Sequence, residues 1–152
     1  DASGGVLDQD YEMYEQQTPH LILHHEYLCD SGGAGQWRGG LGVETKIELR
    51  GENTTMVVFG DGDIEPNYGL FGGKGSVLNK IELKYKNGKK LKPLSKDMIN
   101  GIPDRTVYTQ IAGGGGGYGN PKKRDKEKVL QDVKNEVVSK NVAKNIYGLK
   151  KS

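Results

Sequence analysis

Three histidines and the only cysteine lie close together near the start of the chain: His20, His24, His25 and Cys29. Imidazole and thiolate groups are the ligands that zinc prefers, so this spacing raises the question of a metal site. The stretch alternates like a β-strand, on which His20 and His24 would face one side and His25 and Cys29 the other. At most two could then bind one ion, whereas zinc normally takes three or four protein ligands. The sequence therefore favours structural or interface histidines and predicts no metal site in this chain alone, unless a partner chain supplies another ligand.

Two cations stand within glycine-rich stretches and are the candidates for binding an anion or a substrate, Arg38 and Lys74. Backbone N–H groups of such loops can cradle a phosphate, and a nearby cation would add charge. Neither the phosphate-binding loop pattern nor the dinucleotide-binding glycine pattern is present. The sequence therefore favours glycine loops that serve the architecture over an anion site at Arg38 and Lys74.

No other group of residues predicts a reaction. Asp61, Asp63 and Glu65 resemble the start of a calcium loop, but no glutamate stands at the twelfth position of that loop. The chain has no Gly-x-Ser-x-Gly sequence and no legible Ser, His and Asp grouping. Its catalytic residues are unknown from the sequence.

Glycine is the residue that organises the chain, with 24 copies in 152 residues. Two Gly-Gly pairs flank Trp37-Arg38, and further glycines cluster at 69–75 and 113–119. Because glycine has no Cβ, it allows a positive φ or the close approach of another backbone. The sequence predicts shaped structural loops at these glycines: Gly32, Gly33, Gly39, Gly40, Gly72, Gly73, Gly114, Gly115 and Gly116.

Composition narrows the class of protein. Hydrophobic residues make up 34% of the chain, which is low for a self-sufficient domain and suggests that another chain supplies part of the apolar contact. One cysteine excludes an internal disulfide, and no apolar run is long enough to span a membrane, so we expect a cytoplasmic protein. The chain starts with Asp rather than Met, and we expect a processed or truncated product, or the ordered remainder of a longer protein.

Charge is distributed unevenly. Residues 1–30 contain seven acidic residues and no Lys or Arg, whereas residues 121–152 contain ten basic residues and four acidic ones. A basic end could bind nucleic acid, but these bases alternate with acids at helical spacing and lack interleaved aromatic residues. The pattern favours a solvated helix face and no nucleic-acid partner.

Alternating apolar and polar residues predict about six strands before residue 112. The strand expected over residues 20–29 would bury Leu21, Leu23, Tyr27 and Cys29, and residues 43–49 form the cleanest half-buried strand. Residues 54–59 are apolar enough for a central strand. Asn87-Gly88 predicts a hairpin between a strand over residues 81–85 and a return strand from Lys89 to about Leu94. A last strand is expected over residues 106–111, and a short helix over residues 11–16.

The period changes after residue 125. Asp125 is positioned to cap a helix with an inward stripe of Val129, Leu130, Val133 and Val137. Ser139 would cap a second helix, which buries Val142, Ala143 and Ile146 and ends at Gly148. We therefore expect a mainly β fold with glycine-rich loops and two short C-terminal α-helices (α+β). Its parts would be an N-terminal arm (1–19), a glycine-looped β domain (20–120) and a C-terminal helical tail (121–152).

Three motifs in this order resemble the C-terminal end of the hydantoinase B/oxoprolinase family. The first is Asp-Ser-Gly-Gly-Ala-Gly-Gln-Trp-Arg-Gly-Gly-Leu-Gly (30–42), and the second is Tyr-Gly-Leu-Phe-Gly-Gly-Lys (68–74). The third is the glycine run that continues into Tyr-Gly-Asn-Pro (113–121). The tail is also similar to that family's ending, so the resemblance covers nearly the whole chain. Each motif alone would be weak, but their combination is specific.

The resemblance implies a large hetero-oligomeric, ATP-dependent enzyme. This family includes hydantoin and 5-oxoproline hydrolases and the acetone and acetophenone carboxylases. An A-type ATPase subunit activates the substrate, and a B-type subunit carries out or completes hydrolysis or carboxylation. This chain is similar to only the last quarter or so of a B-type subunit, so no catalytic residue is transferred to it. ATP with magnesium, and any divalent metal, would then be bound by partner subunits rather than by this chain alone.

Two interpretations follow. In the first, the chain is a small subunit or C-terminal fragment of a B-type component, which it completes in fold and assembly. It would act as a non-autonomous part of a complex for ketone carboxylation, or for hydantoin or 5-oxoproline ring opening. In the second, it is an independent β-rich binding module that recognises an anionic ligand through Arg38 and Lys74. The lean composition and the opposed charges of the two ends favour the first interpretation.

Overall fold

The computed structural model describes residues 10–149 and consists of two antiparallel sheets and three short helices. The rest of the expected N-terminal arm and the last three residues of the tail lie outside these residues. The strands are β1 (Leu21–Tyr27), β2 (Val43–Leu49), β3 (Thr54–Phe59), β4 (Lys80–Lys84), β5 (Lys90–Leu91), β6 (Lys96–Ile102) and β7 (Thr106–Ala112). The helices are α1 (Tyr11–Gln17), α2 (Lys126–Lys134) and α3 (Lys140–Asn145), with a 3-10 turn at Pro121–Lys123. The predicted fold class is confirmed.

The main sheet has five strands in the order β1-β2-β7-β4-β5. At its centre, β2 pairs with β7 over their full length, from Val43 opposite Ala112 to Leu49 opposite Thr106. The strand predicted from the alternating residues 43–49 is therefore confirmed. The hairpin at Asn87-Gly88 is also confirmed, because β4 pairs with β5 and the Gly88 N–H donates to the Tyr85 carbonyl at 2.9 Å.

The second sheet corrects two predictions. Strand β3 is not central, since among the described residues it pairs only with β6 in a two-stranded ribbon. Its Val57 and Phe59 are exposed. Strand β6 itself was not predicted, and the expected return strand to Leu94 ends at Leu91 instead. We call β3 and β6 together the β3–β6 ribbon.

Strand β1 differs from its predicted orientation. Its pairing with β2 shifts between Ile22 and His24, which makes Leu23 the extra residue of a β-bulge. The bulge places Tyr27, which stands opposite Val43, on the face of Ile22 and Ile47 rather than on that of Leu21. Leu23, Tyr27 and Cys29 are all exposed rather than buried. The expected inward face of this strand was therefore wrong.

One hydrophobic cluster lies between the two sheets. Leu49, Leu83 and Ile102 are its buried residues, and Met56 and Tyr108 pack against them. In the pairing register, Ile47 stands opposite Tyr108, which stands opposite Leu83, so these residues share one face of the main sheet. The ribbon covers that face.

A second cluster joins the C-terminal tail to the first glycine stretch. Val129, Val138, Ala143 and Tyr147 are buried together with Ala34. The predicted caps are present, because the Asp125 carboxylate accepts the Glu127 N–H at 2.9 Å and the Ser139 hydroxyl accepts the Val142 N–H at 3.2 Å. The predicted C-terminal glycine, Gly148, has a φ of 68°. Leu130 is exposed, contrary to the predicted stripe.

Candidate functional site

Three glycine-rich loops pack on one another through their backbones. We call the assembly of residues 30–42, 66–75 and 113–120 the glycine-loop platform. The third loop bonds to both others, because the Gly33 N–H donates to the Gly115 carbonyl at 2.8 Å and the Gly117 N–H donates to the Lys74 carbonyl at 2.9 Å. The first and second loops also meet directly, where the Lys74 N–H donates to the Ala34 carbonyl at 2.7 Å. The loops are therefore one hydrogen-bonded unit with a defined shape.

This close approach explains why glycine is needed. A Cβ on Gly33 would lie 2.5 Å from the Gly117 nitrogen and would collide with the Lys74 carbonyl oxygen. Because the obstacles are backbone atoms of neighbouring loops, no side-chain rotation could make room. Most of the other predicted glycines have the same constraint: Gly32, Gly39, Gly73, Gly114 and Gly116. Gly115 is tight, Gly72 has a φ of 91°, and Gly40 alone of the predicted set has open space around it and no positive φ.

Polar side chains attach the platform to the rest of the fold. The buried Ser31 hydroxyl donates to the Leu28 carbonyl and accepts the Gly42 N–H at 2.7 Å, which closes the base of the first loop. The neighbouring Asp30 carboxylate accepts the Ser139 N–H at 2.8 Å. The same residue thus bonds the start of the loop to the start of α3.

A buried ion cluster joins the first loop to α2. The Asp132 carboxylate accepts a hydrogen bond from Arg124 at 2.8 Å and lies 3.5 Å from the Arg38 guanidinium. The second nitrogen of Arg124 donates to the Gln36 carbonyl at 3.3 Å, and Arg38 donates to the Gly39 carbonyl at 2.8 Å. Two mostly buried arginines therefore share one carboxylate, and each depends on it for charge compensation.

The Tyr147 phenol lies close to the three charged groups of this cluster. It is almost fully buried, and burial raises the pKa of its phenol above the usual range. The neutral phenol is therefore the form that the folded chain favours. The sequence did not predict this cluster, because its residues are far apart in the chain and meet only when the tail packs on the first loop.

The two predicted anion-binding residues occupy different surroundings. Arg38 is mostly buried against Asp132, whereas the Lys74 side chain is exposed at the surface of the second loop. The structure does not join them through a common hydrogen bond or ion pair within the described residues. Anion binding by Arg38 and Lys74 stays a prediction, and Arg38 has a structural partner that accounts for it.

The outer side of the platform carries exposed aromatic and apolar side chains. We call them the aromatic surface: Trp37, Tyr68, Leu70, Phe71 and Tyr118. The Phe71 and Tyr118 rings are 5.1 Å apart, and Tyr118 bridges to both Trp37 and Leu70 through the backbone. Phe71 has a φ of 51°, a left-handed conformation that is unfavourable for a bulky residue. A strained, exposed ring on a rigid loop is typical of a binding surface.

The histidines have separate structural partners. His20 accepts the Arg50 N–H at 3.2 Å, His25 hydrogen-bonds the Thr45 hydroxyl at 2.9 Å, and His24 lies 3.4 Å from the Glu44 carboxylate. Because of the bulge, His24 and His25 point to the faces of Lys46 and Thr45, respectively. His20 borders the opposite face from His24, so the predicted grouping of His20 with His24 was wrong.

The other candidates for metal binding are Cys29 and the acidic residues 61–65. Although Cys29 is exposed, partial desolvation and the Asp30 carboxylate raise the pKa of its thiol, which disfavours the thiolate that a metal would need. Among residues 10–149, no three His, Cys, Asp or Glu side chains are placed to share one ion. This includes the Asp61, Asp63 and Glu65 stretch.

Comparison with known proteins gives the family. The hydantoinase B/oxoprolinase family model matches residues 2–121, which contain all three glycine loops. The chain belongs to the hydantoinase B/oxoprolinase family. The resemblance stated from the three motifs is therefore confirmed.

Two of the similar proteins are subunits of enzymes. Caprolactamase subunit beta of Pseudomonas jessenii is 33% identical over 150 residues, and the acetone carboxylase alpha subunit of Xanthobacter autotrophicus is 26% identical over 174 residues. The crystal structure of the ATP-dependent caprolactamase from Pseudomonas jessenii superposes with a TM-score of 0.81 at 28% identity. It supports the fold across 98% of this chain.

The matched region is a minor part of each relative. Caprolactamase subunit beta is covered over 26% of its length and the acetone carboxylase alpha subunit over 22%, while more than nine-tenths of this chain is matched. The chain therefore spans about a quarter of the curated relatives that it matches. Within the described residues, no helix is both long and apolar enough to cross a membrane.

Proposed function

We propose that this chain is a non-autonomous part of the B-type component of an ATP-dependent carboxylase or cyclic-amide hydrolase, and that it completes the fold and assembly of that component. The observation that carries the proposal is the asymmetry of the match. Nearly all of this chain corresponds to caprolactamase subunit beta, yet it accounts for only 26% of that subunit. Ketones, hydantoins and 5-oxoproline are the substrate classes of the proposed complex.

The surface of the chain supports a role in assembly. The aromatic surface is held by a rigid backbone scaffold, and aromatic residues on such scaffolds are typical anchors of protein interfaces. The β3–β6 ribbon exposes further apolar residues, including Phe59, which is 89% exposed. Apolar surface at two places on a small chain is typical of a part that is covered within a larger assembly.

The proposal assigns the chemistry to other polypeptides. The partners are the remainder of a B-type subunit and an A-type ATPase subunit, which would bind ATP with magnesium and any divalent metal that the reaction needs. The proposed location is the cytoplasm. The alternative, an independent module that binds an anion, relies on Lys74, because Arg38 is already paired with Asp132.

The test is a comparison of three preparations: the chain alone, the complex that contains it, and the complex that lacks it. ATP-dependent turnover of a ketone, a hydantoin and 5-oxoproline would be assayed in each. We expect turnover only by the complex that contains the chain. Turnover by the chain alone, or full turnover without it, would contradict the proposal. A native mass near 16.6 kDa for material purified from its own cells would favour the independent module.

A further inference from the structure

An open cleft separates the main sheet from strand β3. Its volume is about 450 Å³, and Ile47, Ile81, Tyr108 and Ile111 of the main sheet contribute to one wall. The other wall includes every residue of β3 from Thr54 to Phe59. Among the described residues β3 pairs only with β6, so its other edge has no strand partner. A strand contributes all of its residues to one cleft when its open edge, rather than one face, borders that cleft.

The other open edges in the described part of the chain are protected. Beside β1, the Glu15 carboxylate of α1 accepts the Ile22 N–H at 2.8 Å, so a helix covers that edge. Strand β5 is two residues long and is flanked by Lys89 and Lys92. In β6, the Asp97 carboxylate accepts the Met98 N–H at 2.8 Å. Short strands, lysines and charged residues are the usual means by which proteins prevent unwanted strand pairing.

Strand β3 has none of these protective features in its sequence. Thr-Thr-Met-Val-Val-Phe contains no charge and no proline, and its residues have high β propensity. Such a segment at an open edge would pair with another chain and is an aggregation hazard when it is left exposed. The contrast with the other edges indicates that β3 is covered by another segment when the protein is assembled.

We propose that the rest of a B-type subunit covers β3 by adding an extended apolar segment to its open edge. The added strand would lie in the cleft beside β3, next to the Ile47 and Tyr108 face of the main sheet. This inference rests on the proposed function, because the relatives contain about three times as much additional sequence as the region matched here. Backbone hydrogen bonds would supply affinity, and the apolar walls would select alternate side chains of the added strand.

The acidic mouth of the cleft gives the added segment a further property. Asp61 and Asp63 line the cleft directly after β3. Asp61 lies 3.7 Å from the Lys96 ammonium, so Asp63 is the one of the two without an ion pair to the described residues. A basic residue at the corresponding end of the added strand would therefore be favoured over an acidic one. The expected segment is about six residues long, because β3 offers six residues for pairing.

Two matched substitutions on the β3–β6 ribbon test whether another segment pairs with β3. Val57 and Met98 stand opposite each other on the outer face of the ribbon and are 66% and 61% exposed, respectively. Of the two, only Val57 lines the cleft. Tagged wild-type chain, Val57→Lys and Met98→Lys would be purified from the native cells. The recovered large polypeptide would be identified by peptide sequencing as the preceding region of the family.

We expect Val57→Lys to lower recovery of that polypeptide by about tenfold or more, because Val57 would stand beside the added strand and a lysine would replace its apolar cross-strand contact. Met98→Lys should stay within about twofold of wild type, since surface changes away from an interface have small effects. Thermal unfolding of the chain alone checks that both variants fold. Equal recovery with folded Val57→Lys and with wild type would overturn the proposal.

Hydrogen exchange tests strand addition directly. In the complex, amides of Thr54–Phe59 that point to the open edge should exchange at least about tenfold more slowly than in the lone chain, while those of β5 stay unchanged. If wild type recovers the large polypeptide but β3 gains no protection, this inference fails and the proposed function stands. If wild type recovers no such polypeptide, the proposed function fails. A dimer of this chain that Val57→Lys dissociates, or a small molecule found in the cleft, would also overturn the inference.

Discussion

The glycine-loop platform and the β3–β6 ribbon both expose apolar side chains, but they hold them in opposite ways. In the platform, three loops are joined by backbone hydrogen bonds, and a glycine such as Gly33 allows a contact that no other residue would fit. In the ribbon, two strands pair with each other and leave an edge of β3 open to the cleft. The platform therefore has its final shape within this chain, whereas the ribbon has a surface that another segment can extend.

This difference separates two kinds of interface. A preformed surface needs little ordering when a partner binds, so more of the contact energy remains as affinity. An open edge must order an incoming strand, but it offers a row of directional hydrogen bonds in return. We expect the platform to behave as a rigid anchor and the ribbon to behave as the place where two parts of one fold join.

The largest expected loss of stability comes from removing the ion cluster that joins the platform to the C-terminal tail. Asp132→Asn removes the carboxylate shared by Arg38 and Arg124, and the Arg124 side chain is only 10% exposed. Breaking a buried ion pair from one side typically costs about 3–5 kcal/mol. Urea unfolding of the chain should therefore show a large loss of stability. A loss below about 1 kcal/mol, the range of an exposed pair, would mean that water already compensates the arginines.

A single methyl group should damage the platform almost as much. Gly33→Ala places a Cβ against the backbone of the other two loops, and we expect a cost of about 3 kcal/mol. Gly40→Ala is the matched control, since nothing lies within 4 Å of its added Cβ. That substitution should change the free energy of unfolding by less than about 1 kcal/mol. Equal effects of the two alanines would show that these loops are only connections.

Two neighbouring valines of β3 separate the buried face of the ribbon from its exposed face. Val58 is 6% exposed and faces the core, whereas its neighbour Val57 is 66% exposed. Val58→Ala should cost about 2 kcal/mol, because it removes two buried carbons, each worth about 0.8 kcal/mol, and leaves a small cavity. Val57→Ala should stay within about 0.5 kcal/mol in the lone chain. Urea denaturation of the lone chain would measure both changes, and equal losses would contradict the placement of Val58 in the core and Val57 on the outer face.

The sequence predicted those parts of the fold whose burial is decided locally. Strand β2 alternates cleanly, Asn87-Gly88 has the backbone preference of a tight hairpin, and Asp125 and Ser139 cap the helices that follow them. Each of these features depends on residues within a few positions of one another. Such local signals predict an element without knowledge of its neighbours.

The misplaced elements depend on distant contacts. The apolar residues 54–59 suit a central strand, and the sequence does not show whether their cover comes from the same chain or from another. The bulge at Leu23 appears only when β1 pairs with β2. In β6, Asn100-Gly101 interrupts the strand pattern as a bulge in which Gly101 has a φ of 66°, and pairing with β3 continues on both sides of it.

The candidate site was predicted in its backbone but not in its side chains. The glycine clusters indicated shaped loops, because close backbone approach requires glycine whatever the sequence context. The ion cluster of Arg38, Arg124 and Asp132 could not be predicted, since it forms only when the tail packs on the first loop. The sequence alone does not show the pairing of Arg38 with Asp132, so it leaves Arg38 as a candidate for binding an anion.

The smallest effect concerns the strain at Phe71, at the tip of the second loop. Its φ of 51° costs a non-glycine residue roughly 1–2 kcal/mol, and glycine has no such cost. Phe71→Gly and Phe71→Ala both remove the ring and its contact with Tyr118, so their difference isolates the backbone term. We expect the glycine variant to be more stable than the alanine variant by about 1 kcal/mol in thermal unfolding, an amount reduced by the greater flexibility of unfolded glycine.

If the alanine variant is as stable as the glycine variant, the loop does not hold Phe71 in the left-handed conformation. If the expected difference is found, the platform bears a steric cost in order to present an aromatic ring, whereas the ribbon presents Val57 and Phe59 from ordinary strand geometry. The anchoring role of the platform would then be favoured, because strain at an exposed ring persists only where the surrounding structure enforces it.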